Sequence, residues 1–291
     1  MTQCGRFAPS PTGRLHFGSL VAALGSWLRA RSRGAEWLVR IEDLDSVREV
    51  PGASTDILET LAALGLHSDR AIVLQSERVA RYASAFERLV EEGHVFPCHC
   101  SRTALSAFHG VHPGACVTPP DADRKSPAWR VRVGTARVQF EDAVFGSYSQ
   151  SLPESVGDFV LRRTDGVYSY QLAVVVDDAD QGITEIVRGA DLLDSTPRQI
   201  FLQRLLGLPT PDYLHLPLAL DAVGRKLSKH ESARPVERDD PIPALREALA
   251  FLGQPVPGET AVDAMLRSAA GRFDIARIPV RIPAHAAVQK D

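Results

Sequence analysis

Short apolar runs and longer amphipathic runs alternate along the first 93 residues, and each amphipathic run ends close to a glycine. Short apolar runs indicate strands, and apolar residues spaced three to four positions apart indicate helices. Strands that alternate with helices of this length favour a parallel sheet covered on both faces, so the predicted fold class is α/β. The predicted strand–helix pairs are 3–8 with 15–33, 37–42 with 54–64, and 72–74 with 78–92, the last with Ala80, Ala83, Phe86 and Val90 facing inward.

Residues 97–127 break this alternation, with three cysteines, three histidines, five prolines and no sustained period. We interpret the segment as part of an inserted subdomain. The patterns beyond it predict antiparallel strands at 129–140 and 158–162, a helix capped by Thr196, and a helix at 244–252.

The composition excludes several classes of protein. A net charge of −3 with 44% hydrophobic and 24% charged residues is typical of a globular chain, and it excludes a disordered or strongly basic one. A length of 291 residues corresponds to roughly two domains. The apolar stretch at 20–28 is too short to span a bilayer and no signal-type run precedes it, so we expect a cytoplasmic protein with no membrane partner.

Two segments are candidates for nucleotide binding, although the sequence has neither a G-x-G nor the Gly-Lys-Ser/Thr of a P-loop. The first, RFAPSPTGRLHFGS at 6–19, joins a predicted strand to a predicted helix, where α/β sheets bind ligands. The second, GRKLSKH at 224–230, places cations beside glycine and serine. Taken singly, the first is more typical of a proline-stiffened surface loop, and the second of a solvated basic loop.

The cysteine-rich segment contains a candidate metal site. Its residues form a C-x-C, eleven intervening residues and an H-x3-C, a donor set that fits a closed structural zinc site. C-x-C is weaker support than C-x-x-C, and a loop of reduced thiols is the alternative. Cys4, in the first predicted strand, is interpreted as a core residue. The predicted ligands are Cys98, Cys100, His112 and Cys116, with His94, His99 and His109 as competitors.

Taken together, the motifs resemble the catalytic domain of class I glutamyl-tRNA synthetases. The matching segments are RFAPSPTG and HFGS near the start, RIEDLD at 40–45, YQLAVVVDD at 170–178, EIVRGADLL at 185–193 and KLSKH at 226–230. HFGS corresponds to the HIGH motif of that class and KLSKH to its KMSKS loop. The resemblance covers roughly residues 3–232, and it implies a Rossmann-like nucleotide-binding sheet and a ligase that forms a carbon–oxygen bond.

The resemblance implies that the chain binds ATP together with Mg²⁺, which neutralises the leaving oxygens. Activation places a carboxylate against the α-phosphate, so negative charge grows on phosphorus while pyrophosphate leaves. We assign His16 and Lys229 to that charge as catalytic residues, and Lys226 as a weaker second cation. Gly18 and Ser19 complete the predicted ATP site. The alternative for His16 is an ordinary helix-start residue.

L-Glutamate is the amino acid that the resemblance implies. A guanidinium matches a carboxylate in shape, so Arg6 is assigned to the side-chain carboxylate, with Arg188 supporting the substrate. Glu42, favoured over Asp43, is assigned to the α-ammonium, and Asp178 is interpreted as a helix-end residue and not a catalyst. The other predicted glutamate contacts are Ala8, Ser10 and Tyr170. Without the resemblance, Tyr170 is equally an edge-of-core aromatic and Arg188 a surface ion-pair partner.

The predicted organisation has three parts: a catalytic domain of 1–96 and 170–234, an inserted zinc-bearing, acceptor-type subdomain at 97–169, and a short helical segment at 235–291. We expect no anticodon-binding domain, because longer relatives need more than the remaining 57 residues for one. A shorter branch of the family carries C-x-C, eleven residues, Tyr, three residues and Cys in the cysteine segment. The resemblance to that branch supports one structural Zn²⁺ per chain, and we expect a monomer. It also implies tRNA-independent activation of glutamate and its transfer to queuosine in the anticodon of tRNA(Asp).

Other functions stay open at this point. They are a truncated glutamyl-tRNA synthetase that charges the tRNA 3′ end, a non-catalytic tRNA-binding regulatory module, and a small-molecule nucleotidyltransferase of the same superfamily. Intact HFGS and KLSKH motifs argue against the silent module, since neither is needed for a fold. The combination of Arg6, Glu42 and Arg188 argues against the nucleotidyltransferase.

Overall fold

A computed structural model describes residues 3–118, 126–218 and 235–280. The N-terminal part confirms the predicted alternation of strands and helices. Its three strands pair in parallel in the order β1-β2-β3, with Cys4 opposite Glu36 and Arg40 opposite Val73. The elements are β1 (Cys4–Phe7), α1 (Phe17–Ser32), β2 (Glu36–Ile41), α2 (Ala53–Ala63), β3 (Val73–Leu74) and α3 (Val79–Glu91).

The face of α3 that packs inward differs from the prediction. Tyr82, Phe86 and Leu89 are buried, whereas Ala80 is exposed. The other two residues predicted to face inward, Ala83 and Val90, are half-buried. The large aromatic and leucine side chains bury more apolar area than alanine does, so the side of α3 that carries them packs against the core.

A second sheet is antiparallel and has the order β4-β5-β8. The single strand predicted at 129–140 is two strands, because Gly134 adopts a left-handed conformation with a φ of 55° in the turn between them. The second of these strands forms a hairpin with the next one. The elements are β4 (Val95–Cys98), β5 (Ala128–Val131), β6 (Arg137–Asp142), β7 (Gly146–Ser151), the short helix α4 (Leu152–Ser155) and β8 (Phe159–Arg162).

The remaining elements return to parallel pairing. In the third sheet, of order β7-β6-β10-β9, strand β10 runs parallel to both β6 and β9. A hydrogen bond of 2.9 Å from the Thr184 backbone N–H to the Cys4 carbonyl oxygen connects the start of β9 to β1. Ser195, not Thr196, is the N-cap of α6. The elements are α5 (Tyr170–Asp180), β9 (Glu185–Gly189), α6 (Thr196–Leu205) and β10 (Asp212–Leu216).

The C-terminal helices α7 (Pro241–Phe251) and α8 (Val262–Gly271) pack on α1. Phe17 and Phe251 meet edge to face with ring centroids 5.7 Å apart. The α8 helix was not predicted from the sequence. Within the described part of the chain, no helix is both long enough and apolar enough to cross a membrane. The division into units at residues 97 and 169 stays a prediction.

Candidate active site

A cleft of about 1730 Å³ opens beside the carboxyl ends of β1, β2 and β9. This is the edge at which parallel sheets bind ligands. Lys226 and Lys229 lie outside the described residues. The other residues predicted to bind ATP or glutamate all line the cleft, and their individual roles stay predictions: Arg6, Ala8, Ser10, His16, Gly18, Ser19, Glu42, Tyr170 and Arg188.

The proline-rich loop after β1 is tied to the segment that follows β2. The Glu42 backbone N–H donates to the Pro9 carbonyl oxygen at 2.9 Å, and the Val50 N–H donates to the Pro11 carbonyl oxygen at 2.9 Å. The loop is therefore a wall of the cleft, not the isolated surface loop of the alternative interpretation.

His16 caps the N-terminus of α1 and lines the cleft. Its Nδ1 accepts a hydrogen bond of 3.2 Å from the Ser19 backbone N–H, and its Nε2 lies 3.0 Å from the Ser19 hydroxyl. A β-carbon at Gly18 would come within 3.3 Å of the His16 ring, so any larger residue there would require that ring to shift. The positive end of the α1 dipole opens onto the cleft, as in sites that bind phosphate.

A buried ion-pair network lies beside Arg6 and Glu42, which line the cleft, with Asp178 at its centre. Asp178 accepts hydrogen bonds from Arg6 Nε at 3.0 Å and Arg6 Nη2 at 3.4 Å, and from Arg40 Nη1 at 2.8 Å. Burial opposes ionisation of Asp178, but the two guanidinium groups outweigh it and hold the pKa of that carboxyl below its ordinary value. The network therefore fixes the Arg6 guanidinium before any ligand arrives. A guanidinium keeps a second edge, Nη1 and Nη2, with which it can meet a carboxylate.

Asp177 is equally buried and anchors α5 to other elements. Its carboxylate accepts hydrogen bonds from Gln75 Nε2 at 2.7 Å, Arg78 Nε at 2.6 Å and the Tyr82 hydroxyl at 2.8 Å. Arg40 Nε lies 3.6 Å from the same carboxylate. Paired in this way, a charge inside the protein is tolerated, whereas an unpaired one is costly.

Glu42 faces the cleft from the end of β2, with a side chain that is 7% exposed. Arg40 Nη2 donates to its Oε1 at 3.2 Å. Burial raises the pKa of Glu42 above its ordinary value, even though Arg40 and Arg6 lower it. A cation placed against Glu42 would stabilise its ionised form, so the carboxylate is suited to an ammonium group.

Arg188 reaches the cleft from β9 and is held on both sides. Its Nη1 donates to the Tyr170 hydroxyl at 3.4 Å, and its Nη2 donates to Thr196 Oγ1 at 2.8 Å. Its Nε donates to Nε2 of the buried His215 at 3.1 Å. Arg188 is therefore not the surface ion-pair partner of the alternative interpretation, because only 5% of it is exposed.

The four predicted metal ligands come together. The ligand atoms of Cys98, Cys100, His112 and Cys116 all lie within 4.8 Å of one another, with the first three residues buried and Cys116 exposed. Cys98 Sγ and His112 Nε2 are 3.5 Å apart. Within the described residues this is the one group of three or more potential ligands at such distances, and the competing histidines are not part of it.

The chemistry of this cluster fits a cation. Burial and the neighbouring Cys98 and Cys100 sulfurs raise the pKa of Cys116 to about 12, because the thiolate would add a like charge. A divalent ion removes that repulsion and binds thiolates directly. The cluster could therefore hold a metal ion, and its three sulfurs and one nitrogen are compatible with zinc.

His112 is supported from behind by the segment that precedes β8. A β-carbon at Gly157 would come within 2.3 Å of the His112 carbonyl oxygen, so the close approach requires glycine. The next residue, Asp158, places Oδ2 3.2 Å from His112 Nδ1. Its Oδ1 accepts a hydrogen bond of 2.9 Å from the Val133 backbone N–H. The contact at Nδ1 leaves Nε2 facing the cysteines.

Sequence reasoning missed three residues that shape the cleft. Asp178 does lie in the last turn of α5, as a helix-end residue would, but that interpretation missed that it is buried and pairs with two arginines. Arg40 and His215 were not singled out at all. A charged residue inside a run of apolar strand residues, as in WLVRI and YLHLP, was the available signal, because such residues are seldom buried without a partner.

The profile of tRNA synthetases class I (E and Q), catalytic domain, matches residues 4–126 and 121–268. A relative from Xanthomonas campestris named glutamyl-Q tRNA(Asp) synthetase is 55% identical over 279 residues, which cover 94% of this chain and 93% of the relative. The chain belongs to the glutamyl-Q tRNA(Asp) synthetase family. It is accordingly a ligase-type enzyme with a class I synthetase catalytic domain.

Another member of the glutamyl-Q tRNA(Asp) synthetase family, from Burkholderia cenocepacia, is 57% identical over 270 residues, covering 89% of this chain and 90% of that relative. Among solved structures, a glutamate tRNA ligase from Elizabethkingia meningosepticum superposes with a TM-score of 0.79 at 23% identity. That superposition covers 96% of this chain but only 66% of the ligase, so this chain spans about two thirds of its length. The likeness confirms a class I synthetase-like α/β fold with a parallel sheet.

Proposed function

We propose that the chain activates L-glutamate with ATP and transfers the glutamyl group to queuosine in the anticodon of a tRNA(Asp). The observation that carries the proposal is the match to glutamyl-Q tRNA(Asp) synthetases at 55–57% identity over about nine-tenths of each chain. We take the Q of that name to be queuosine. The cleft supports the amino-acid part, because Arg6, Glu42 and Arg188 all line it at the carboxyl ends of β1, β2 and β9.

In the first step, a carboxylate oxygen of glutamate attacks the α-phosphorus of ATP, and the bond to the β-phosphate oxygen breaks. The products are glutamyl-adenylate and pyrophosphate. His16, at the positive end of α1, and Lys229 meet the charge that develops on the phosphate, with Lys226 as a second cation. Mg²⁺ bound with ATP neutralises the leaving oxygens. We propose that this step needs no RNA.

Three side chains orient glutamate for that attack. Arg6 binds the side-chain carboxylate, and Asp178 keeps the guanidinium in place from below. Glu42 binds the α-ammonium, which restores the ionised form that burial disfavours. Arg188 and the hydroxyl of Tyr170 border the remaining side of the substrate.

In the second step, a hydroxyl oxygen of queuosine attacks the acyl carbon, loses its proton, and AMP leaves. The anticodon loop can deliver a base of this kind, because proteins read unstacked single-stranded bases on their edges. The cleft is bordered by Cys98 and Cys100, so the metal cluster lies beside the path of any acceptor. We propose that the cluster holds one structural Zn²⁺ that keeps this border folded.

The test is transfer of radiolabelled glutamate to four forms of tRNA(Asp), with queuosine or plain guanosine and with an intact or a trimmed 3′ end. We expect labelling of both queuosine forms, including the one without its terminal adenosine, and of neither guanosine form. Labelling that requires the 3′ end and ignores queuosine would overturn the proposal in favour of a truncated glutamyl-tRNA synthetase. Absence of ATP-dependent labelling in every form would favour the non-catalytic tRNA-binding module.

A further inference from the structure

We propose that His215, held by Asp142, is a positioning residue that aims the Arg188 guanidinium into the cleft. The inference rests on the proposed function, since it concerns how one of the glutamate-binding side chains is oriented. Arg188 and Tyr170 line the cleft, whereas the His215 side chain is fully buried on β10 behind them. His215 is therefore placed to act through Arg188 and not on the substrate.

Asp142, at the end of β6, fixes the histidine ring from one side. Its Oδ2 lies 2.6 Å from His215 Nδ1 and accepts a second hydrogen bond of 3.0 Å from the His215 backbone N–H. Its Oδ1 accepts backbone N–H groups of Val144 at 3.0 Å and Phe145 at 2.9 Å. Both oxygens of the Asp142 carboxylate accept from backbone N–H groups, so the carboxylate is an acceptor toward Nδ1 as well. His215 Nδ1 must therefore carry the proton.

The other ring nitrogen then has to accept a hydrogen bond. In a neutral imidazole with its proton on Nδ1, Nε2 is the acceptor. Arg188 Nε, which only donates, lies 3.1 Å from His215 Nε2. Burial and the charge of Arg188 hold the pKa of His215 below its ordinary value although Asp142 raises it, which keeps the ring neutral. With the proton on Nδ1, Nε2 can accept from Arg188 Nε, and the Thr196 hydroxyl, 3.3 Å from Nε2, can donate to the same nitrogen.

This contact sets which edge of the guanidinium is available to a ligand. Nε is held by His215, and Nη2 is held by Thr196 Oγ1 at 2.8 Å and the Leu192 carbonyl oxygen at 3.4 Å. Nη1 instead reaches Tyr170 on the wall of the cleft. With one edge fixed by buried partners, the plane of the guanidinium is set by the protein. Losing the His215 contact frees the group to rotate, which weakens substrate binding.

Two substitutions of His215 separate the two sides of the ring. His215→Asn keeps an amide N–H near the Nδ1 position for Asp142 but has no group that reaches Arg188. His215→Gln can place an amide oxygen near the Nε2 position, where it accepts from Arg188. Glutamate-dependent pyrophosphate exchange should give His215→Asn a KM for glutamate raised by about 10- to 100-fold, the loss expected for a hydrogen bond to a charged group. His215→Gln should restore most of this, and the KM for ATP should change in neither variant.

Arg188→Ala in the same assay separates this inference from the proposed function. If Arg188→Ala leaves the KM for glutamate unchanged, the proposed role of Arg188 fails, and the positioning role fails with it. If Arg188→Ala raises that KM, His215→Asn should add less than about twofold in the Arg188→Ala background, because residues that act through one another are not additive. Additive effects, or equal effects of Asn and Gln, would overturn the positioning role alone.

Nitrogen NMR of the imidazole in the wild-type chain gives a readout that does not depend on activity or on variants that fold. We expect the Nδ1–H tautomer of His215 near neutral pH, with an Nε2 resonance shifted by its hydrogen bond to Arg188. An Nε2–H tautomer would contradict the inference, because two donors would then face each other.

Discussion

The ion-pair network around Asp178 and the Cys/His cluster border the same cleft, and they are built from different kinds of side chain. Around Asp178, carboxylates and guanidinium groups from β1, β2 and α5 neutralise one another within the chain. In the cluster, three thiols and one imidazole converge with no cationic side chain among the four. The comparison teaches that the first region balances its charges within the chain, whereas the second offers four ligand atoms that could hold a metal ion.

The largest effect is expected from removing a ligand of the cluster. Cys100→Ser should reduce the metal content from about one ion per chain to nearly none and lower the thermal midpoint, because metal bound only to the folded state contributes to folding free energy. Elemental analysis together with thermal unfolding measures both. Cys4→Ser is the matched control, since Cys4 is a buried free cysteine in β1 away from the cluster. A Cys98→Ser, Cys100→Ser double variant that kept its metal would refute this ligand set.

The next largest effect is expected from removing Asp178, which pairs with Arg6 and Arg40. Asp178→Ala should destabilise the chain by about 3–5 kcal/mol, because it removes the carboxylate that pairs with buried Arg6 and one of the carboxylates that pair with buried Arg40. Asp180→Ala, two residues further along α5, removes a carboxylate that is 37% exposed and should cost about 0–1 kcal/mol. Urea unfolding of both variants at neutral pH makes the comparison. Equal losses would show that Asp178 does not organise this side of the cleft.

The lowered pKa of Asp178 also predicts how the stability of the chain changes with pH. A pKa below the ordinary value means that the contribution of Asp178 to stability is fully present above the ordinary pKa of aspartate. It is lost as the pH falls through the lowered value. Wild-type stability should therefore fall more steeply on acidification than that of Asp178→Asn.

A smaller effect is expected from replacing Asp158, whose carboxylate lies against His112. Asp158→Asn can keep its hydrogen bond from the Val133 backbone N–H, but it places an amide N–H group or a neutral oxygen against His112 Nδ1. Losing a carboxylate that orients a metal-binding histidine typically weakens metal affinity by about 10- to 100-fold. Competition with a chelator measures this, and Asp165→Asn, at an exposed carboxylate that pairs with Arg163, is the control. Unchanged affinity in Asp158→Asn would mean that His112 is oriented by packing alone.

Local sequence patterns predicted those features of the structure that neighbouring residues determine by themselves. The periodicity of apolar residues placed β1, α1, β2 and α2 within one or two residues of their ends, and the spacing of the cysteines gave the four ligand positions. The inward face of α3 could not be predicted, since alanines and larger apolar residues both follow a helical period there. The break in the strand predicted at 129–140 depended on one glycine in a turn.

Ion pairs between distant residues were beyond the reach of sequence reasoning. Arg6 and Asp178 are 172 residues apart, and Arg40 and Asp178 are 138 apart. Their meeting depends on how α5 packs against β1 and β2, which no local pattern specifies. For the same reason Asp178 looked like a polar end to an apolar run. Buried charges within apolar runs were the one available sign, and they indicate a partner without naming it.

The central claim is that the cleft selects glutamate through Arg6, which Asp178 holds in place. Pyrophosphate exchange into ATP, measured without RNA and with glutamate, aspartate or glutamine as the only amino acid, tests it most directly. Aspartate is one methylene shorter than glutamate, and glutamine lacks the carboxylate charge that the proposed contact with Arg6 requires. The account predicts exchange with glutamate and little with the other two. Exchange supported equally well by aspartate or glutamine would contradict it.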